Sequence, residues 1–303
     1  MALITRGSII SALRPGVHTW YGMGYDRYKD EYAQIYDLKS SEMDYERDVN
    51  MYGLGAGLVK PEGTAVTYDT MGEGFHYNYL HVAYANGFII THEAMMDNLY
   101  MKVGEAGTKS LGKGMKEAKE IVSINLLHRA FNSSYTFADG LSLCNTANLL
   151  SGGGTFSNQL AVAADISEAA IEQSLIDIAN FVDDRSLKSK IQARKIIIPV
   201  QSQFEIQRIL KSQLRVGTSD NDINVINEGS YLPEGFFVSH YLQDNTAWFI
   251  KTDVENGLTM FVREPVKIST DEEFNTDNIL IKAYERYSVG CTDKRAIYGS
   301  AGV

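Results

Sequence analysis

The sequence predicts an α+β fold, in which helices and strands occupy separate stretches of the chain. Apolar residues recur at helical spacing between His92 and Phe131, and again from Ile171 to Val182, whereas the last third is rich in strand-like segments. Strands and helices do not alternate regularly, so a parallel βαβ sheet is not expected. With 303 residues, the chain can bury a sizeable core without a disulfide or a metal.

The N-terminal segment carries tyrosines spaced by three or four residues, which predicts one face of a single helix. They are Tyr21, Tyr25, Tyr28, Tyr32 and Tyr36. A tyrosine buries a large ring yet keeps a hydroxyl for a wet partner, so this stripe suits a helix lying on a surface, such as that of a neighbouring subunit. Packing on its own domain explains the spacing equally well, and both interpretations stay open.

The next segment, from Glu42 to Thr70, mixes short polar and apolar stretches with several glycines and one proline. This pattern predicts a long, glycine-tipped hairpin that has little to bury by itself. A second strand-like region runs from Phe75 to Ile90.

The apolar stripe between His92 and Phe131 predicts a helix of about forty residues, roughly 60 Å long, which would serve as a structural spine. Its glycines are unfavourable inside a helix, so we expect a break near Gly112. Five lysines share helical spacing here: Lys102, Lys109, Lys113, Lys116 and Lys119. A solvated face or ion pairs between subunits is the favoured interpretation, and contact with nucleic acid is the alternative.

A glycine-rich link at 151–154 leads to a block of helix, buried strand and helix, which predicts a subdomain core. Four strands are expected in the last third, and Asn256-Gly257 predicts a turn between the second and third. These strands are Phe236–Leu242, Thr246–Thr252, Leu258–Arg263 and Ile279–Gly290.

The motifs argue against an enzyme and against a cofactor or metal. Residues Gly107–Lys113 approach a phosphate-binding loop, but Gly114 stands where the magnesium-binding Ser or Thr belongs. The two cysteines, Cys144 and Cys291, lie too far apart in sequence for a metal motif. A net charge of −10 disfavours broad attraction to phosphate backbones, and no apolar run is long enough to predict a membrane partner.

Several blocks, in order along nearly the whole chain, resemble the major capsid proteins of tailed bacteriophages, particularly the Mu-like head-subunit group. The blocks are Thr19–Gly22, Val59–Gly63, Tyr68–Thr70, Gly87–Thr91, Lys119–Val122, Arg129–Asn132, Leu210–Thr218, Ala247–Thr252 and Glu285–Gly290. The resemblance implies the HK97-like capsid fold, whose parts are an N-terminal arm, an extended hairpin called the E-loop, a peripheral domain with a long spine helix, and an axial domain. The implied boundaries are 1–41 for the arm, 42–74 for the E-loop, 75–140 for the first part of the peripheral domain, 141–245 for the axial domain, and 246–303 for the return strands of the peripheral domain.

The resemblance also implies a function: self-assembly into the hexamers and pentamers of an icosahedral shell that encloses double-stranded DNA. Scaffold, portal and decoration proteins, and non-specific contact with packaged DNA, are the implied partners, with assembly in the host cytoplasm and residence in the virion capsid. An encapsulin-like compartment and an unrecognised enzyme remain the alternatives. The expected intersubunit contacts are Tyr21, Tyr25, Tyr28 and Tyr32 on the arm, and Met51, Tyr52, Leu54, Leu58, Val59 and Val66 on the hairpin.

Some members of this group cross-link their shells through an E-loop lysine and a neighbour's asparagine, assisted by a buried glutamate. Lys60 is the lysine that the resemblance places on the hairpin. No asparagine or glutamate partner can be assigned from the sequence, so cross-linking is not favoured.

Overall fold

A computed structural model describes residues 17–27, 29–96, 100–214 and 223–303, with side chains except at 95, 96 and 100–103. Seven helices lie in these ranges: α1 (17–25), α2 (Tyr32–Ile35), α3 (His92–Met96), α4 (Tyr100–His128), α5 (Glu168–Ala179), α6 (Gln203–Lys211) and α7 (Val225–Glu228). Short 3₁₀ turns span Val200–Ser202 and Lys294–Ala296.

The strands of the described ranges alternate with these helices only in the middle of the chain. They are β1 (Asp37–Ser40), β2 (Tyr45–Tyr52), β3 (Gly72–Leu80), β4 (Val82–Ile90), β5 (Asn148–Leu149), β6 (Thr155–Phe156), β7 (Ala193–Pro199), β8 (Phe236–Ser239), β9 (Trp248–Thr252), β10 (Leu258–Glu272), β11 (Ile279–Cys291) and β12 (Ile297–Ser300).

Two four-stranded sheets form the frame of the molecule. Sheet 1 has the strand order β1-β10-β11-β4, and sheet 2 has the order β12-β9-β7-β8. Only the β1/β10 pair of sheet 1 and the β7/β8 pair of sheet 2 are parallel. Strands β2 and β3 pair as a separate two-stranded ribbon, and so do β5 and β6.

One hydrophobic core joins both sheets beneath α4. Ile124 and Leu127 of α4 pack in a cluster with Met260 of sheet 1 and Phe249 of sheet 2. A second cluster packs α5 and α6 on the other part of sheet 2, around the fully buried Trp248. Burying one such side chain contributes about 1.5–3 kcal/mol, so these clusters hold the two sheets together as one body.

The stripe of tyrosines does not lie on one continuous helix, contrary to the prediction. The first helix ends at residue 25, and α2 begins only at Tyr32. The Glu120 carboxylate accepts the backbone N–H groups of Glu31 and Tyr32, both at 2.8 Å, and so occupies the donors that start the second helix. Tyr28 lies outside the described residues.

The expected break near Gly112 is also wrong, because α4 runs without interruption from Tyr100 to His128. Its glycines permit a close approach to α1. A Cβ on Gly112 would lie 2.7 Å from the carbonyl oxygen of Tyr21, and one on Gly24 would lie 2.3 Å from that of Lys109. Glycine makes the helix less stable than alanine would by about 1 kcal/mol at each position, but a larger residue at Gly112 would prevent the close packing against α1.

Strand β10 continues to Glu272, beyond the predicted end at Arg263. The register with β11 shifts twice between Val262 and Lys267, around Pro265. Proline cannot donate to the ladder, and an irregularity at this point lets the strand continue past it. The turn predicted at Asn256-Gly257 is present, with Asn256 in the left-handed region at φ 54°.

Two of the implied boundaries differ from the strand pairing. The ribbon continues to Leu80, so residue 74 lies inside β3. Within 246–303, β10 and β11 belong to sheet 1, but β9 pairs with β7 and β12 pairs with β9 in sheet 2. The chain crosses between the sheets because the alternating apolar residues of β9 are buried on both faces, by α4 on one side and by α5 and α6 on the other.

Candidate functional site

The most exposed apolar segment in the described ranges is the loop at 53–71 that joins β2 to β3, here called the ribbon loop. It contains no strand or helix, and its Val59 side chain is 94% exposed. The hairpin candidates are exposed there or just before it, except for the half-buried Tyr52: Met51, Leu54, Leu58, Val59 and Val66. Such a run of exposed apolar side chains is typical of an interaction surface.

A tight turn forms the tip of the ribbon loop. The backbone N–H and the hydroxyl of Thr64 both donate to the carbonyl oxygen of Pro61, at 3.3 and 2.8 Å. Gly63 adopts φ +80°, the conformation that the third residue of a type II turn requires. Lys60 lies exposed beside this turn, and the expectation that it is not a cross-linking residue stays a prediction.

Arg185 anchors the base of the ribbon loop to the body. Its guanidinium donates to the carbonyl oxygen of Thr70, lies 3.4 Å from Asp69 Oδ1, and stacks 5.0 Å from the ring of Tyr52. The Asp69 carboxylate also accepts the N–H groups of Gly55 and Thr70. These backbone donors, together with Arg185, lower the pKa of Asp69, so the carboxylate stays ionised and ties the two sides of the loop together.

Asp184 extends this anchor into the core. It accepts the N–H of Ser151 at 2.9 Å, lies 3.4 Å from the guanidinium of Arg295, and receives the Asn50 amide at 3.5 Å. Ser151 in turn accepts the N–H of Phe75 on β3. The ribbon is therefore fixed at its base by buried polar contacts, whereas its tip has none to the body among the described residues.

Three of the four arm tyrosines turn inward, which corrects the prediction that these three contact a neighbour. Tyr21 and Tyr32 are buried in the chain's own clusters, and the half-buried Tyr25 stacks on Tyr21 at 5.6 Å. Burial raises the pKa of the Tyr21 hydroxyl far above its usual value, with Glu285 contributing. For these three tyrosines the alternative interpretation is therefore correct: they pack on their own domain.

The predicted lysine stripe separates into two kinds of residue. Lys113 is exposed and Lys109 is partly exposed, and both form ion pairs one helical turn away, Lys109 with Glu105 at 2.6 Å and Lys113 with Glu117 at 3.4 Å. Pairs of this exposed kind contribute roughly 0.3–0.5 kcal/mol. They match the predicted solvated face.

Lys116 and Lys119 are buried inside the chain, so neither a solvated face, nor ion pairs between subunits, nor contact with nucleic acid describes these two lysines. Lys116 lies 2.8 Å from Asp30, and Lys119 lies 3.3 Å from Glu285. Lys119 faces sheet 1, on which α4 packs, whereas Lys116 faces the N-terminal segment at Asp30 and the ring of Tyr25. The side chain of Lys102 lies outside the described part.

The family model described as phage capsid protein matches residues 79–300, more than half of the chain. The chain belongs to the phage capsid protein family. Sequence comparison with proteins of curated function gives no match.

Solved structures share the fold of this capsid protein over most of its length. A virus-like particle from Pyrococcus furiosus is 10% identical over 94% of this chain and 97% of its own, with a TM-score of 0.57. The capsid of Myoviridae phage XM1 is 12% identical over 91% and 92%, at 0.53, and the procapsid of bacteriophage JBD30 is 14% identical over 98% and 76%, at 0.53. This likeness confirms the predicted α+β, HK97-like fold.

Two buried carboxylates of the capsid protein were missed in the sequence. Glu285 is fully buried on β11, and Glu120 is 4% exposed on α4. A signal for Glu285 exists, since it occupies an inward position in an alternating series with Ile281, Ala283 and Tyr287. Burial raises the pKa of both carboxyls, that of Glu120 to about 7.

The described part of the capsid protein holds no group of three or more His, Cys, Asp or Glu residues arranged for a metal ion. No described helix combines the length and apolar character needed to cross a bilayer. The candidate site of the capsid protein consists of the ribbon loop, its Arg185 anchor, and the charged groups that dock residues 30–37 on α4.

Proposed function

We propose that this phage capsid protein is a shell subunit that assembles with copies of itself into the hexamers and pentamers of an icosahedral head enclosing double-stranded DNA of a tailed phage. Membership of the family and the shared fold of the XM1 and JBD30 particles support this proposal. In these terms the ribbon is the E-loop, sheet 1 with α4 is the peripheral domain, and sheet 2 with α5–α7 is the axial domain.

The observation that carries the proposal is the ribbon loop. Its apolar side chains project away from the body, and nothing within the described chain covers them. Each Val or Leu buried on a neighbour would contribute about 1.5–3 kcal/mol. A closed shell repeats that contact at every subunit, so modest contacts add up to a stable particle.

The double substitution Leu58→Asp and Val59→Asp tests the proposal. We expect the wild type to form large closed particles in negative-stain images and in sedimentation, and the variant to remain as small species with an unchanged circular dichroism spectrum. Val162→Asp is a matched control, because Val162 is 80% exposed but lies far along the chain from the ribbon. Normal particles from the ribbon variant, or no particles from the wild type, would contradict the proposal.

The content of the particles separates a phage head from a shell with another cargo. The likeness to the virus-like particle from Pyrococcus furiosus makes the second function worth testing. We expect particles from infected cells to protect long double-stranded DNA from nuclease. Particles that contain only protein would favour the compartment function instead.

A further inference from the structure

Residues 30–37, here called the clasp, lie between α4 and sheet 2 and contact both. On the α4 side, Glu120 accepts the N–H groups of Glu31 and Tyr32, and the Tyr36 hydroxyl donates to the carbonyl oxygen of Ser123 at 2.7 Å. Asp30 pairs with Lys116 at 2.8 Å. Each of these contacts joins segments more than eighty residues apart, so the clasp is held by tertiary contacts and not by local structure.

On its other side, the clasp contacts sheet 2 at β7, at β9 and at the residue that follows β8. The Glu31 carboxylate accepts from the His240 imidazole at 2.7 Å and from the backbone N–H of His240 at 3.1 Å. Lys195 of β7 donates to the Gln34 side chain at 3.1 Å, and Lys251 of β9 to Asp37 at 3.0 Å. The clasp thus ties the spine helix to the second sheet.

We propose that the clasp is a proton-controlled connector, which Glu120 holds shut when protonated and loosens when ionised. The geometry supports this role because the buried carboxyl lies against the clasp backbone and not in water. A protonated carboxyl keeps acceptor lone pairs on both oxygens, so it can still accept the two N–H groups. All of the clasp contacts lie within one chain, so this control does not depend on shell assembly.

The surroundings of Glu120 decide the direction of the effect. From the clasp, Asp30 and Glu31 face it with negative charge, which disfavours its ionised form. An open cleft of about 480 Å³ lies beside it, between the clasp, α4 and β8. The other charged or titratable groups around Glu120 lie on or next to these elements and where α4 packs on β11. They are Lys29, Tyr32, Lys113, Lys116, Glu117, His240 and Tyr241, with Lys119, Glu285 and Tyr287 at β11.

Burial, more than any other cause, raises the pKa of Glu120 from 4.5 to about 7, although the two backbone donors lower it. Because the clasped state has the higher pKa, its stabilisation is complete below pH 4.5 and is lost as the pH rises through about 7. A pKa difference of about 2.5 corresponds to a fall of up to about 300-fold in the ratio of clasped to released chain. Raising the pH therefore opens the clasp.

Hydrogen exchange of the peptide covering residues 29–37 tests the inference on the full chain. After correction for the intrinsic pH dependence of exchange, we expect wild-type protection to fall at least tenfold between pH 5 and pH 8. Glu120→Gln should abolish that pH dependence. Glu117→Gln is the matched control, because it removes a carboxylate from the same helix and the same cleft, and it should respond like the wild type.

The His240→Gln variant separates the contact made by Glu120 from the contact between the His240 imidazole and Glu31. The inference is overturned if wild-type protection is constant with pH, or if the response disappears in His240→Gln but persists in Glu120→Gln. The wild-type titration decides the matter even if Glu120→Gln does not fold. Since the measurement does not need a shell, its failure is distinguishable from failure of the proposed function.

Discussion

Replacing Lys119 by Met should destabilise the protein severely. The side chains of Lys119 and Glu285 are 7% and 1% exposed, and the Lys119 ammonium lies 3.3 Å from Glu285 Oε2. The ammonium also lies over two aromatic rings, 5.0 Å from the centre of Tyr32 and 5.2 Å from that of Tyr287. The second carboxylate oxygen, Glu285 Oε1, has no hydrogen-bond partner among the described residues. Removing the ammonium leaves a buried carboxylate without its cation, which costs about 3–5 kcal/mol. That loss is a large part of the free energy of unfolding of a typical domain, which is roughly 5–15 kcal/mol.

Removing both charges together should cost far less. The variant Lys119→Met with Glu285→Leu replaces the ion pair by apolar groups, and such replacements are commonly neutral or stabilising by about 1–4 kcal/mol. Acid should also relieve the single variant. Burial raises the pKa of Glu285 and Lys119 lowers it, so without the lysine the carboxyl protonates more readily as the pH falls.

Urea unfolding followed by the fluorescence of Trp20 and Trp248 measures these free energies. Lys113→Met is the control, because its pair with Glu117 is exposed and should contribute no more than about 0.5 kcal/mol. A loss below about 1 kcal/mol in Lys119→Met, or a double variant as unstable as the single one, would refute the argument that the pair is a desolvated unit.

Two further predictions concern polar contacts. Asn158→Ala should cost about 3 kcal/mol or more in urea unfolding, because the Asn158 amide donates to three backbone carbonyls and accepts from two further groups in the core; a loss under about 1 kcal/mol would count against it. Arg185→Ala should speed limited proteolysis of the ribbon loop several-fold, while the unfolding midpoint shifts little, because the guanidinium holds only the loop base; unchanged cleavage would contradict the anchor.

Much of the fold could be predicted from periodicity. The apolar stripe of α4, the strands of the last third and the turn at Asn256 follow from spacings of three to four or of two residues, which local structure imposes. The ribbon loop was also predictable, because glycines and isolated apolar residues cannot build a core alone. The apolar side chains predicted to make contacts there are exposed in the structure.

Other features could not be predicted because they depend on contacts between distant segments. A tyrosine at helical spacing has the same pattern whether it faces a neighbour or its own core, and only the packing of α1 on α4 placed Tyr21 inside. Likewise, lysines on one stripe differ in burial, since sheet 1 covers Lys119 but leaves Lys113 exposed. Gly112 could be interpreted as a helix breaker until the backbone of α1 was found against it.

From the sequence alone come the α+β class, the spine helix, the exposed ribbon and the resemblance to capsid proteins, since each depends on residue order and local spacing. Tertiary structure alone decided which sheet each late strand joins, which charges are buried, and that residues 30–37 tie α4 to sheet 2. The physical reason is that burial and charge pairing are properties of surfaces brought together from distant parts of the chain, and periodicity does not record which surfaces meet.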